Sequence, residues 1–245
     1  MIAKKIHYCW FGRNSIPEKY NKFITTWKEL MPEYEICLWD EQTFDVDSTP
    51  WTSAAYKVKK YAFVSDYVRL KALYEHGGIY LDTDVKMCKS LASLQQKFPN
   101  FMGFENDHVI TSAVMAAEKG SPLIKEFLSY YDNKEFTLDI ITKNEANVLM
   151  MTETLKKYGL LINASEQHIE TSLFDVHVFP QTYFCPLDFY HREKFSANTY
   201  TIHYFDGTWL PDETKKRMIY ERSLLYKIQT KILSWLLILK NKFPK

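Results

Sequence analysis

The chain has 245 residues, with 31 Lys and Arg against 30 Asp and Glu, 46% hydrophobic and 25% charged residues. That balance suits one folded domain of moderate size, excludes a disordered chain, and lacks the basic field that nucleic-acid binding requires. Aromatic residues reach 16%, enough for a core and for a cleft that stacks on rings.

Ile6 to Trp10 reads as a first strand that ends at the turn Phe11-Gly12. Pro17 to Leu30 reads as a helix closed by Pro32, and Tyr34 to Trp39 as a second strand. Strand, helix and strand in so short a span predict an α/β fold. Trp51 to His76 reads as one long helix, stopped by Gly77-Gly78, because glycine accepts the left-handed conformation there. Ile79-Tyr80-Leu81 is then a short apolar strand with Asp82 at its carboxyl end, where open α/β sheets bind ligands. Val85 to Met87, Phe101 to Phe104, Val176 to Phe179 and Tyr200 to Tyr204 are further extended segments. Pro122 to Tyr131 and Glu145 to Tyr158 are helices, the second closed by Gly159.

Residues 1–211 are expected to form the domain and 212–245 a helical tail. From Arg222 onward the tail has basic residues and no acid, with Leu224, Ile228, Ile232, Trp235 and Leu236 among its apolar positions. Such a segment suits a membrane surface as well as a helix packed back on the domain. No signal-like apolar run follows Met1, and no stretch is long enough to span a bilayer. A cytoplasmic protein, at most peripheral at the inner face of the plasma membrane, is therefore expected. Cys9, Cys37, Cys88 and Cys185 lie far apart, so neither a zinc site nor a disulfide framework is expected.

Asp82-Thr83-Asp84 carries the chemistry. Two carboxylates at i and i+2 of a turning strand end can face one Mn²⁺ or Mg²⁺, and such ions prefer oxygen ligands. A diphosphate beside them adds oxygens, and the metal offsets the charge that develops on the leaving diphosphate. Asp45-Val46-Asp47 repeats the pattern without a preceding apolar strand and reads as a loop. Asp66 and Arg69 share one face of the long helix among apolar neighbours, which points to buried pairing or to a ligand. Two other readings use the same residues. In a haloacid-dehalogenase-type phosphohydrolase, Asp82 attacks phosphorus, but the downstream acidic pair of such enzymes is missing. In a non-catalytic scaffold of a polysaccharide assembly, the site is dead.

The block from Ala62-Phe63-Val64-Ser65-Asp66-Tyr67-Val68-Arg69 through Gly77-Gly78-Ile79-Tyr80-Leu81-Asp82-Thr83-Asp84 resembles the DXD region of one sugar-transferase family. That family includes yeast initiating α-1,6-mannosyltransferases and bacterial capsular and exopolysaccharide enzymes, and more distantly the glucosylating domains of large clostridial toxins. Ile6 to Gly12 and His203 to Trp209 resemble its two ends. The resemblance implies a GT-A-type Rossmann-like domain and a hexosyltransferase, Mn²⁺-dependent and retaining. It implies a nucleotide-sugar donor, with UDP favoured, and a polysaccharide or lipid-linked acceptor in capsule or exopolysaccharide synthesis. By the same resemblance Trp10 stacks on the donor base, Asp66 and Arg69 hold ribose, sugar or phosphates, and Trp209 closes over the diphosphate. Asp84 and His203 then ligate the metal, and Asp82 contacts ribose or water around it. Glu105 and Asn106 follow a strand and are placed toward the acceptor.

Overall fold

The computed structural model describes residues 2–142, 147–188, 191–207, 210, 212–223, 228 and 231. In chain order its elements are β1 (Lys5–Cys9), α1 (Glu18–Leu30), β2 (Glu35–Trp39), α2 (Pro50–Lys57), α3 (Tyr61–His76), β3 (Gly78–Leu81) and β4 (Val85–Met87). They continue with α4 (Ala92–Lys97), β5 (Asn100–Gly103), β6 (Val114–Ala117), α5 (Pro122–Ser129), α6 (Asp139–Thr142) and α7 (Asn147–Lys157). The last are β7 (Gln167–Glu170), β8 (Asp175–Phe179), α8 (Gln181–Phe184), β9 (Thr201–His203) and α9 (Asp212–Arg222).

The α/β class is borne out. One mixed sheet runs β2-β1-β3-β6-β5-β8-β7, and β4 pairs with β9 in a separate ribbon. The opening half, β2-β1-β3, is parallel, with α1 crossing between β1 and β2. The central strands β3, β5 and β6 are buried on both faces because both faces are covered. Ile79 and Leu81 pack with Ile6, Tyr8 and Trp27 on one side, while Tyr80 packs with Val64, Val68 and Leu73 on the other.

The long helix expected from Trp51 to His76 is two helices. A C-cap of the Schellman type ends α2: Lys60 N–H reaches Ala55 O at 2.9 Å and Lys59 N–H reaches Tyr56 O at 2.9 Å. Lys59 holds a left-handed φ of 58°, which costs about 1 kcal/mol for a residue with a Cβ. Packing offsets that cost. The turn lets Trp51 of α2 and Phe63 of α3 enter one core, with the indole donating to Phe63 O at 2.8 Å. Neither Gly nor Pro marks the break, so the sequence hides it. Several short elements, β6, β7, α4 and α8, also went unforeseen. The basic apolar tail falls almost wholly outside the described residues beyond α9, and none of the described helices is long and apolar enough to cross a membrane.

Gly77 and Gly78 turn the chain from α3 into β3 at φ of 62° and 122°. A Cβ on either would stand 2.6 Å from Lys119 N or 2.7 Å from Lys5 O. His7 braces this turn from β1. Trp39 Nε1–H donates to His7 Nδ1 at 3.2 Å, so Nε2 carries the proton and donates to Gly77 O at 2.9 Å. Burial, with His76 nearby, lowers the His7 pKa to about 4. Below the unfolded value of 6.5 the unfolded chain binds a proton that the native one refuses until about 4. The stability contributed by neutral His7 is thus complete above 6.5 and lost as pH falls to 4, on the order of 3 kcal/mol. Denaturant midpoints for the parent and His7→Gln should diverge in pH slope across this window; parallel slopes exclude a lowered His7 pKa.

Candidate active site

Asp82 leaves the carboxyl end of β3 and the chain turns at once. Val85 N–H bonds Asp82 O at 3.0 Å, closing a four-residue turn that turns both carboxylates toward one side. α1 anchors β4, the strand after this turn. Trp27, fully buried, donates to Val85 O at 2.9 Å, and Thr26 Oγ1 accepts Met87 N–H at 3.0 Å. The antiparallel pairing of β4 with β9 sets His203 directly opposite Val85, beside Asp84.

His203 Nε2 lies 3.3 Å from Asp84 Oδ1. The second oxygen of Asp84 accepts Asp206 N–H at 3.0 Å. Burial opposes the charge on both partners, yet their mutual attraction holds Asp84 below the usual carboxylate range and His203 well above the usual imidazole range. Asp82, Asp84 and His203 each bring one ligand atom within 4.8 Å of the others. Two hard carboxylate oxygens and one imidazole suit Mn²⁺ better than a soft metal.

Arg69 is buried one turn after Asp66. Its Nη2 lies 3.0 Å from Asp66 Oδ1 and its Nη1 lies 3.3 Å from Asp82 Oδ1. Nη1 also donates to Ser112 O and Oγ, both at 2.9 Å, and the guanidinium lies 4.8 Å from the centre of the Tyr80 ring. Burial works against its charge; Asp82, Tyr80 and Asp66 outweigh it and raise its pKa. Tyr80 O–H donates to Asp82 Oδ1 at 2.8 Å, so Asp82 is fixed from two sides. Burial pushes the Asp66 carboxyl up to about 6 although Arg69 pulls it down.

These groups line a cleft of about 710 Å³ that also takes in Trp10, Tyr61, Glu105 and Asn147. Trp10, held by Nε1–H to Asn14 O at 2.8 Å, also borders a neighbouring groove of about 560 Å³ edged by Arg13 and Asp40. Burial, with the Asp82 and Asp84 charges adding, raises Glu105 to about 7 although His203 and Arg69 lower it. Asn106 is elsewhere. Its Oδ1 accepts His108 N–H at 2.8 Å and Val109 N–H at 3.2 Å, closing its own turn, so it does not join the cleft. Trp209 lies outside the described residues. Asp45-Val46-Asp47 is a loop, as expected. Tyr80, Ser112 and Asn147 escaped the sequence reading. Asn147 is buried beside Asp66, with both carboxamide atoms lacking a full hydrogen bond, and nothing local in the sequence marks it.

Residues 17–101 match the family described as "Glycosyltransferase sugar-binding region containing DXD motif". That stretch, which holds Asp66, Arg69 and the paired aspartates, is similar to a DXD sugar-transferase region. The resemblance drawn from its sequence is borne out. The "Inositol phosphoceramide mannosyltransferase 3" of Schizosaccharomyces pombe is 34% identical over 127 residues, covering 50% of this chain and 35% of that protein. "Subversion of eukaryotic traffic protein A" of Legionella pneumophila is 24% identical over 264 residues, covering 86% of this chain and 39% of that one. The chain thus spans well under half the length of both relatives. A solved structure described as "PaToxG Glycosyltransferase" is similar with a TM-score of 0.48 and 20% identity, covering 64% of this chain and 68% of that one. The DXD region places its two aspartates at the mouth of β3, between Arg69 and His203.

Proposed function

We propose that the chain is a Mn²⁺-dependent glycosyltransferase that moves a hexose from a nucleotide-sugar to a glycan or lipid-linked glycan. The observation that carries this is the convergence of Asp82, Asp84 and His203 in one cleft with Trp10. Asp84 and His203 would hold a divalent cation, with Asp82 toward the ribose or its water, and the ion would supply positive charge to offset that on the departing diphosphate. Trp10, which lines both the cleft and the neighbouring groove, offers its face to the base. Asp66 and Arg69 orient ribose or sugar hydroxyls, and the Arg fork suits phosphate oxygens. Asn147 brings an amide donor and acceptor to the same hydroxyls. Glu105 can receive the proton of an incoming acceptor hydroxyl. Trp209 belongs to the proposal as the residue that closes over the diphosphate.

The fission-yeast relative is named for mannosyl transfer to a lipid, which supports a lipid-linked acceptor and adds mannose to the donors worth testing. UDP-sugars remain the favoured donors, with retention of configuration and a place in capsule or exopolysaccharide assembly. A cytoplasmic location, with the tail of residues 212–245 at the membrane surface, is part of the same proposal. A phosphohydrolase fits less well, because the downstream acidic pair that such enzymes use for their metal has no Asp-Asp counterpart in the sequence. A panel of UDP- and GDP-sugars, assayed for nucleoside diphosphate release with and without Mn²⁺, tests the reading. Metal-dependent release from one sugar class is expected. Release of phosphate from simple monoesters, with no sugar-nucleotide turnover, overturns it, and no binding of any nucleoside diphosphate with Mn²⁺ leaves a scaffold.

A further inference from the structure

Behind the Asp84–His203 pair lies a group that the sugar-transfer reading leaves without a role. His203 turns Nε2 to Asp84 and the cleft. Its other ring nitrogen, Nδ1, is buried and makes no full hydrogen bond. The thiol of Cys185, itself completely buried, also interacts with the ring. Phe205 covers the imidazole, with ring centres 4.0 Å apart, which limits the planes the ring can adopt.

The fold fixes the thiol as firmly as the ring. Cys185 follows α8, and its N–H bonds Gln181 O at 2.9 Å. Thr201 Oγ1–H donates to Phe184 O at 3.0 Å, tying the end of α8 to β9, the strand that carries His203. The thiol also meets the hydroxyl of Thr111, whose Oγ1 accepts Ala113 N–H at 3.1 Å. Thr111, Cys185 and His203 therefore form a short polar line that ends at the cleft.

An imidazole that ligates a cation through Nε2 carries its proton on Nδ1. Metal-bound histidines nearly always give that proton to an outer partner, which sets the ring orientation and raises its basicity. The usual partners are carboxylates, carbonyls and water; a thiol sulfur is a weak acceptor. We infer that Cys185 is the positioning residue for His203, its sulfur accepting Nδ1–H when Nε2 turns to a cation. This rests on the reading that Asp82, Asp84 and His203 hold a divalent ion. The thiol does not touch the ion and undergoes no covalent change.

The test titrates Mn²⁺ alone into the full chain and reads the free ion by electron paramagnetic resonance, with Asp84→Asn as reference. Cys185→Ala and Cys185→Val should each weaken Mn²⁺ binding about tenfold, the lower end for outer-shell partners, while Cys185→Ser should stay within about twofold of the parent. Packing alone predicts the reverse order, since valine fills an apolar site better than serine. If alanine fails to fold, valine, which fills the space of the thiol, gives the answer by itself. Parent-like binding by the alanine and valine variants, beside a loss in Asp84→Asn, overturns the role of Cys185 and leaves the metal reading intact. Parent-like binding by Asp84→Asn, or no binding by the parent, removes the metal reading and the inference with it.

Discussion

Asp84→Ala is expected to lower Mn²⁺-supported nucleoside diphosphate release by about 1,000-fold, because a metal clamp supplies several kcal/mol to the transition state. The protein should stay folded. Asp84 stands at a turn whose backbone is held independently by Val85 N–H to Asp82 O and by Trp27 to Val85 O. What the variant loses locally is the anchor for Asp206 N–H and the partner of His203. Asp84→Asn keeps an acceptor for Asp206 and should be nearly as inactive, which separates loss of charge from loss of packing. Initial rates with the best donor, at several Mn²⁺ concentrations, decide the matter. Activity within tenfold of the parent, without a rise in the metal requirement, removes Asp84 from the site.

Arg69→Ala should be the most destabilising single change in the cleft. The guanidinium is buried, with Asp66 on one arm and Asp82 and Ser112 on the other. Removing one partner of such a network leaves uncompensated charge, typically a loss of about 3 kcal/mol or more. Asp82 is partly exposed and water screens some of its charge, so the lower end applies. The sign of the pH dependence follows from Asp66. Its folded pKa, already about 6, exceeds the unfolded value of 3.8, and loss of Arg69 raises it further. A carboxyl shifted upward contributes fully below 3.8, and that contribution disappears as pH rises through the folded value. The deficit of Arg69→Ala should therefore be larger at pH 7.5 than at pH 5, measured from urea unfolding. Arg69→Lys keeps the charge but not the fork, and should recover only part of the stability. A deficit under about 1 kcal/mol, unchanged with pH, contradicts a buried network of this kind.

Much of the site is local and was legible for that reason. Asp66 and Arg69 are one helical turn apart, and Gly77-Gly78, the apolar triplet and Asp82-Thr83-Asp84 follow without interruption. A single helix-to-strand passage places them all. The fold was readable where pattern and punctuation agree: β1-α1-β2, the glycine stop, and β8. It was not readable at Lys59, where the chain takes a left-handed turn with no glycine, because burying Trp51 with Phe63 outweighs the local preference. Nor was it readable at β6, four residues of Val-Met-Ala-Ala that gain strand character only between β3 and β5.

The sequence by itself determined the α/β class, the carboxylate pair at the strand end and the DXD resemblance, since these rest on residue type and short spacing. The resemblance also named His203, but only the tertiary structure decided how it and the other distant groups come to stand around that pair. His203 reaches Asp84 through the antiparallel register of β4 with β9. Cys185 reaches His203 through the tie between α8 and β9, and Asn147 reaches Asp66 across two helices. These are pairings of segments far apart in the chain. Strand register and core packing select them, and no local periodicity records that choice.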